Sequence, residues 1–189
     1  MKQIIIIELV LLLLMILIKA IILHRNGIKA MRLRKPDKNA LALIVIIAGF
    51  SYIALSGVLN LPFPAIAGKP FWDSKILTVI AIVICAADLI WIGITLKIFG
   101  DSFRIGIDEK TNHKLITNGT FAMTRNPVFI AFIDFFLGFF LAFPNMVTLA
   151  FLILLVVMVH RQILEEEAFL RKHYGQEYED YCGKVRRYI

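Results

Sequence analysis

Three apolar runs dominate the chain: Ile4–Leu23, Ala40–Leu61 and Ile76–Phe99. Each reaches or exceeds the roughly 20 residues that an α-helix needs to cross about 30 Å of hydrocarbon. A fourth block is double. Val128–Phe143 is followed by Pro144-Asn145 and then by Met146–Leu164. Proline cannot continue a helix and asparagine suits a turn, so this break predicts a tight hairpin of two antiparallel helices. Of the 189 residues, 59% are hydrophobic and only 19% charged. An ordinary soluble domain is about half apolar and a quarter charged, and has nowhere to hide the excess. The expected fold is an all-α integral membrane protein with about five transmembrane helices and a short cytoplasmic C-terminal helical region. A buried hairpin that never crosses is the alternative for the last block. One domain is expected over 1–189: spans and connectors over 1–99, then a loop, the helical hairpin and a tail over 100–189.

The first run exceeds the 7–15 apolar residues of a secretory signal and no small-residue cleavage site follows, so it reads as a retained anchor. Basic residues set the orientation. The segment after the first span carries Arg25, Lys29, Arg32, Arg34, Lys35 and Lys38, and that after the second only Lys69 and Lys75. Arg104, Lys110, Lys114 and Arg125 follow the third, none follows the fourth, and six from Arg161 to Arg187 follow the fifth. Rich and poor loops alternate, which places the N-terminus outside and the C-terminus inside. The net charge of +7 therefore reads as topology, not as a nucleic-acid surface. Cys85 lies in an apolar run and Cys182 in the polar tail, which makes a disulfide between them implausible.

Two polar segments are candidates for chemistry. Asn126-Pro127 has the form of a helix start, with asparagine as cap and proline in the first turn. Arg125 stands beside that partly positive helix end, and the pair would suit an anion. The plainer alternative is a capped helix with an arginine among the headgroups. The second segment holds Glu165, Glu166 and Glu167 where the last span leaves the membrane. Glu166, Leu170 and Tyr174 share one helix face. Here the plainer reading is a solvated acidic turn paired with Arg161 or Arg171. The hairpin brings both segments together, beside Phe121 and Phe129. An anion site, a carboxylate and aromatic faces match a ligand carrying both charges and a sulfonium, such as S-adenosylmethionine.

Asp88 and Asp134 are costly inside a bilayer and are functional candidates for a substrate path, with an interhelical hydrogen bond as the alternative. Glu8 and Lys19 lie nearer their span's ends and are expected to snorkel. The four histidines have no metal-ligand spacing and no cysteine partners, so no metal site is expected.

At these residues the chain resembles the isoprenylcysteine carboxyl methyltransferase family, with its prokaryotic members and the related phospholipid N-methyltransferase branch. The resemblance runs through His113-x-Leu115-Ile116-x-x-Gly119-x-Phe121 and Arg125-Asn126-Pro127-x-Phe129. It continues in Arg161-x-x-x-x-Glu166-Glu167-x-x-Leu170 and in Tyr174-Gly175-x-x-Tyr178-x-x-Tyr181-x-x-x-Val185-x-Arg187. It implies a membrane-embedded methyltransferase that uses S-adenosylmethionine from the cytoplasmic side. By the same resemblance His113, Lys114, Leu115, Ile116, Phe121, Asn126, Pro127, Val128, Phe129 and Glu166 contact the cofactor, with Arg125 and Glu167 alongside. Arg161 or Gln162 would face the substrate. The family often has tyrosine where Phe121 and Phe129 stand and histidine where Asn126 stands, so some hydrogen bonds differ here. The acceptor implied is a lipophilic small molecule or lipid, its reacting group a carboxylate needing orientation or an amine needing a base. Two other classes stay open: a nicotinamide-dependent membrane reductase, and a non-enzymatic membrane subunit. The sequence is silent on oligomeric state.

Overall fold

The computed structural model describes residues 1–26, 38–59, 61–62, 69–100 and 115–189. They form six α-helices: α1 (Lys2–Arg25), α2 (Lys38–Leu59), α3 (Lys75–Phe99), α4 (Pro127–Ala142), α5 (Met146–Tyr174) and α6 (Gln176–Lys184). A short 3-10 turn, Gly119–Ala122, precedes α4. The first five coincide with the five apolar runs. By length and composition, α1, α3 and α5 can cross a membrane; α4 and the apolar stretch Leu43–Ser56 of α2 are shorter.

Local chemistry explains where helices begin. Ser74 caps α3 by accepting from the Leu77 amide at 3.3 Å. Asn145 caps α5 through a reciprocal capping box: its side chain accepts from the Val147 and Thr148 amides, and Thr148 Oγ1 accepts from the Asn145 amide. The break at Pro144-Asn145 is thus a turn of three residues between α4 and α5. The segment before α3 folds over this turn. The Phe71 amide donates to the Pro144 carbonyl at 2.7 Å, and Trp72 Nε1 donates to the Leu141 carbonyl at 3.1 Å.

The core draws on all five long helices, and its aromatic part lies where α2, α4 and α5 meet. Phe50 packs against Phe136 at 4.4 Å and edge-on to Phe139 at 5.1 Å between ring centroids. The most extensive helix pair is α3 with α4. Gly138 allows that approach, because a Cβ there would stand 2.8 Å from Cys85 Sγ. Many other apolar side chains of α1, α3 and α5 face outward, among them Ile7, Leu17, Ile90 and Leu154. This is the pattern of helices solvated by lipid instead of water.

Glu8 corrects the expectation of snorkelling. It is buried within the bundle, with Oε2 unpartnered among the described residues. Asp88 is also buried, with Oδ2 unpartnered, while Asp134 is half-buried. These carboxyls face protein because lipid would solvate them worse. A cavity of about 590 Å³ opens at the end of the bundle away from Asn126, lined by Lys2, Ile6, Asp73, Lys75, Thr78 and Phe143.

Candidate functional site at the start of the fourth helix

The chain approaches α4 through Leu115 and Ile116, both half-buried. His113 and Lys114 lie outside the described residues. Gly119 then adopts φ of 60°, and a Cβ there would collide with Ile98 of α3 at 2.3 Å. The positive φ favours glycine, and any Cβ there would also push the end of the Ile98 side chain aside. The turn that follows buries Phe121 edge-on against Phe99, at 4.9 Å between centroids. Thr95 Oγ1 donates to Thr120 Oγ1 at 3.1 Å, and Tyr181 of α6 donates to the Phe121 carbonyl at 2.6 Å. The turn is thereby fixed to α3 and to α6.

Pro127 occupies the first turn of α4, as its preset φ favours. Its carbonyl accepts from Trp91 Nε1 at 3.0 Å. Asn126 stands at the cap position, but its side chain does not cap the helix. Nδ2 donates instead to Glu167 Oε1 and to the Arg187 carbonyl, each at 3.3 Å. The expected local cap has given way to tertiary bonds: the side-chain amide is oriented by donating Nδ2 to a charged carboxylate, and its oxygen is not placed to accept from the first helix N–H groups.

Glu167 is the centre of the network. Arg125 Nη2 lies 3.1 Å from Oε1. Arg187 grips both oxygens, with Nε at 3.1 Å from each and Nη2 at 2.8 Å from Oε2. Burial alone would push this carboxyl up. The Arg187 hydrogen bonds, the charges of Arg125 and Arg187 and the Asn126 amide outweigh it, and hold the carboxyl below its ordinary value. Neither Arg161 nor Arg171 supplies this pairing: Arg171 bonds Glu179 at 3.0 Å. The last residues complete the arrangement. The Arg125 amide donates to the Arg186 carbonyl at 3.0 Å, Thr124 Oγ1 donates to the Arg187 carbonyl at 2.9 Å, and Tyr188 meets His160 Nδ1 at 2.6 Å.

Glu166 points elsewhere on α5. It is half-buried and accepts from Gln162 Nε2 at 3.1 Å. Burial, only partly offset by the Gln162 bond, raises its carboxyl to about 7. Arg161 is exposed. Val128 and Phe129 are half-buried on the first turn of α4. Asp88 and Asp134 lie within α3 and α4, away from the Asn126 network.

The structure thus brings Arg125, Asn126 and Glu167 into direct contact and puts Phe121, Pro127 and Phe129 on the adjoining turns. Thr124, Trp91, Tyr181 and Arg187 join the site without having been assigned a role from sequence. Tyr181 and Arg187 did lie in the tail motif, which was the available signal. Among the described residues, no group of three or more His, Cys, Asp or Glu could hold a metal ion.

Comparison with known proteins bears on the same region. Residues 71–177, more than half of the chain, match the model of the family described as phospholipid methyltransferase. A rice protein (Oryza sativa subsp. indica) named "Probable protein-S-isoprenylcysteine O-methyltransferase" is 37% identical over 89 residues. The fission yeast (Schizosaccharomyces pombe) "Protein-S-isoprenylcysteine O-methyltransferase" is 36% identical over 89 residues. Each alignment covers 46% of this chain, with 47% of the rice protein and 38% of the yeast protein. The chain therefore spans about half the length, or less, of these relatives. The family match takes in α3, the Asn126-Pro127 helix start and the whole of α5, and on that ground the chain belongs to the phospholipid methyltransferase family.

Proposed function

We propose that this protein is an S-adenosylmethionine-dependent methyltransferase acting on a lipophilic acceptor within the membrane. The observation that carries the reading is the meeting of two distant segments, Arg125-Asn126 before α4 and Glu167 of α5, at one end of the bundle. Family membership supplies the reaction class. On this reading Asn126, whose Nδ2 is taken by Glu167 and the Arg187 carbonyl, keeps its side-chain oxygen for the cofactor. Glu166 on the neighbouring face of α5 would offer a carboxylate for an ammonium or hydroxyls. Phe129 would offer an aromatic face, and buried Phe121 would back the pocket. Pro127, Val128, Leu115 and Ile116 would wall the pocket, with His113 and Lys114 in the approach loop. Basic loops support an orientation with the N-terminus outside and this pocket cytoplasmic.

When bound, the cofactor supplies an electrophilic methyl group. The chain's own residues then have two tasks: to align an acceptor and to keep water away. The names of the relatives, which specify O-methylation of an isoprenylcysteine, favour a lipophilic carboxylate as the acceptor here. Such a group is already nucleophilic and needs orientation only. Arg161, exposed one helical turn before Glu165, is the residue for that role, with Gln162 as its neighbour. Asp88 and Asp134 mark the path by which the acceptor's apolar body enters.

Binding of labelled S-adenosylmethionine to purified protein tests the pocket. Glu166→Ala and Asn126→Ala are each expected to weaken it, and unchanged binding in both refutes the assignment. Arg161→Ala is expected to preserve that binding while depressing methyl transfer to a lipophilic acid. Normal transfer would remove Arg161 from the mechanism.

A further inference from the structure

Of the glutamates on α5, Glu167 is the one least able to serve a ligand. It is buried and already accepts from Arg125, Arg187 and Asn126. Its two oxygens have four main acceptor positions, and these donors fill them. What they hold in place is the start of α4. Arg187 reaches Glu167 from a tail that also takes the Arg125 amide on the Arg186 carbonyl, and Thr124 Oγ1 and Asn126 Nδ2 on the Arg187 carbonyl. Tyr188 continues the tail to His160, two turns earlier on α5. Three consecutive residues, Thr124 to Asn126, are thus bonded to two consecutive tail residues.

We propose that the C-terminal segment Arg186–Tyr188 is a strap that positions Asn126 for the cofactor, and that Glu167 and Arg187 are positioning residues, not ligands. This rests on the pocket reading above. Without the strap, the peptide between the 3-10 turn and α4 loses its tertiary backbone bond from Arg125, and Asn126 is held by Glu167 alone. The fork of Arg187 matters as well as its charge. It satisfies both carboxylate oxygens at once, which a lysine cannot do with the same geometry.

The test pairs amide hydrogen exchange with labelled S-adenosylmethionine binding, both on the full chain in lipid nanodiscs. In Arg187→Ala, exchange at residues 124–126 is expected to accelerate in the absence of cofactor, and the Kd for cofactor to rise about tenfold. Arg187→Lys should recover part of both effects. Thr124→Val removes the hydroxyl's bond to the strap together with its acceptance of the Asn126 amide, so its exchange is read at Arg125 alone; it serves if Arg187→Ala fails to fold and should move both readouts in the same direction by less. Unchanged exchange at 124–126, or faster exchange with an unchanged Kd, overturns the strap while leaving the pocket intact. Wild-type protein that binds no cofactor overturns the pocket itself, and the strap's role in it.

Discussion

Asn126 and Glu167 are 41 residues apart in sequence and joined by a hydrogen bond of 3.3 Å. The same carboxylate is held between the guanidinium groups of Arg125 and Arg187. Removing its charge leaves Arg125, whose side chain is only 9% exposed, without compensation. Glu167→Gln should therefore destabilise the fold by about 3 kcal/mol or more, the usual scale for breaking a buried pair from one side. The folded-state value of this carboxyl is depressed, so its stabilisation is complete at neutral pH and lost as pH falls through that lowered value. Thermal unfolding in detergent across the acidic range checks this. The wild-type midpoint should fall on acidification, and the variant's should fall less.

Glu166 titrates in the opposite sense. Burial raises its carboxyl to about 7, so near neutrality the protonated and ionised forms coexist, and binding to an ammonium group would draw on the ionised one. Cofactor affinity should rise as pH increases through about 7, because the ionised form is the one that attracts a cation. Glu166→Gln should flatten that dependence. Titration of labelled cofactor at several pH values is the measurement; a wild-type profile as flat as the variant's would exclude Glu166 from the ammonium site.

The α3–α4 interface should tolerate little enlargement. A Cβ at position 138 would sit 2.8 Å from Cys85 Sγ and 3.3 Å from the Ala81 carbonyl oxygen. The backbone partner cannot swing aside, so Gly138→Ala should cost about 1–3 kcal/mol by overpacking. A lowered unfolding midpoint, partly restored by adding Cys85→Ala, would report the clash.

Orientation can be read from the native cysteines. Cys85 is buried in the bundle and Cys182 is partly exposed on α6. A membrane-impermeant maleimide should label Cys182 in inverted vesicles and leave it unlabelled in intact cells, while Cys85 stays unlabelled in both. Labelling of Cys182 from outside would reverse the proposed topology.

The parts legible from sequence were those set by local chemistry. The turn at Pro144-Asn145 needed only a proline that stops one helix and an asparagine that starts the next. Helix positions followed from apolar runs because lipid solvation acts on each run separately. Asn126 shows where local reasoning stopped. Its position at the head of α4 was readable, but its side chain answers to Glu167 and to the tail. Glu166 and Glu167 illustrate the same limit. Adjacent and identical in sequence, they differ because the chain returns twenty residues later to put Arg187 against only one of them. Glu8 was misjudged for a related reason. Distance from a span's end says nothing about which face of α1 the packing of α3 will cover.

The length of α4 carries a last consequence. Sixteen residues make a helix of about 24 Å, against a hydrocarbon layer of about 30 Å. If α4 spans the bilayer as the proposed function has it, the shortfall of about 6 Å has to be met by thinning of the bilayer or by a polar end that lies below the headgroups. On that reading the membrane would be dimpled around this helix, or the polar site would sit recessed beneath the plane of the headgroups. In either case a water-borne reagent and a chain-anchored lipid would reach the same depth, and neither would have to leave its own solvent.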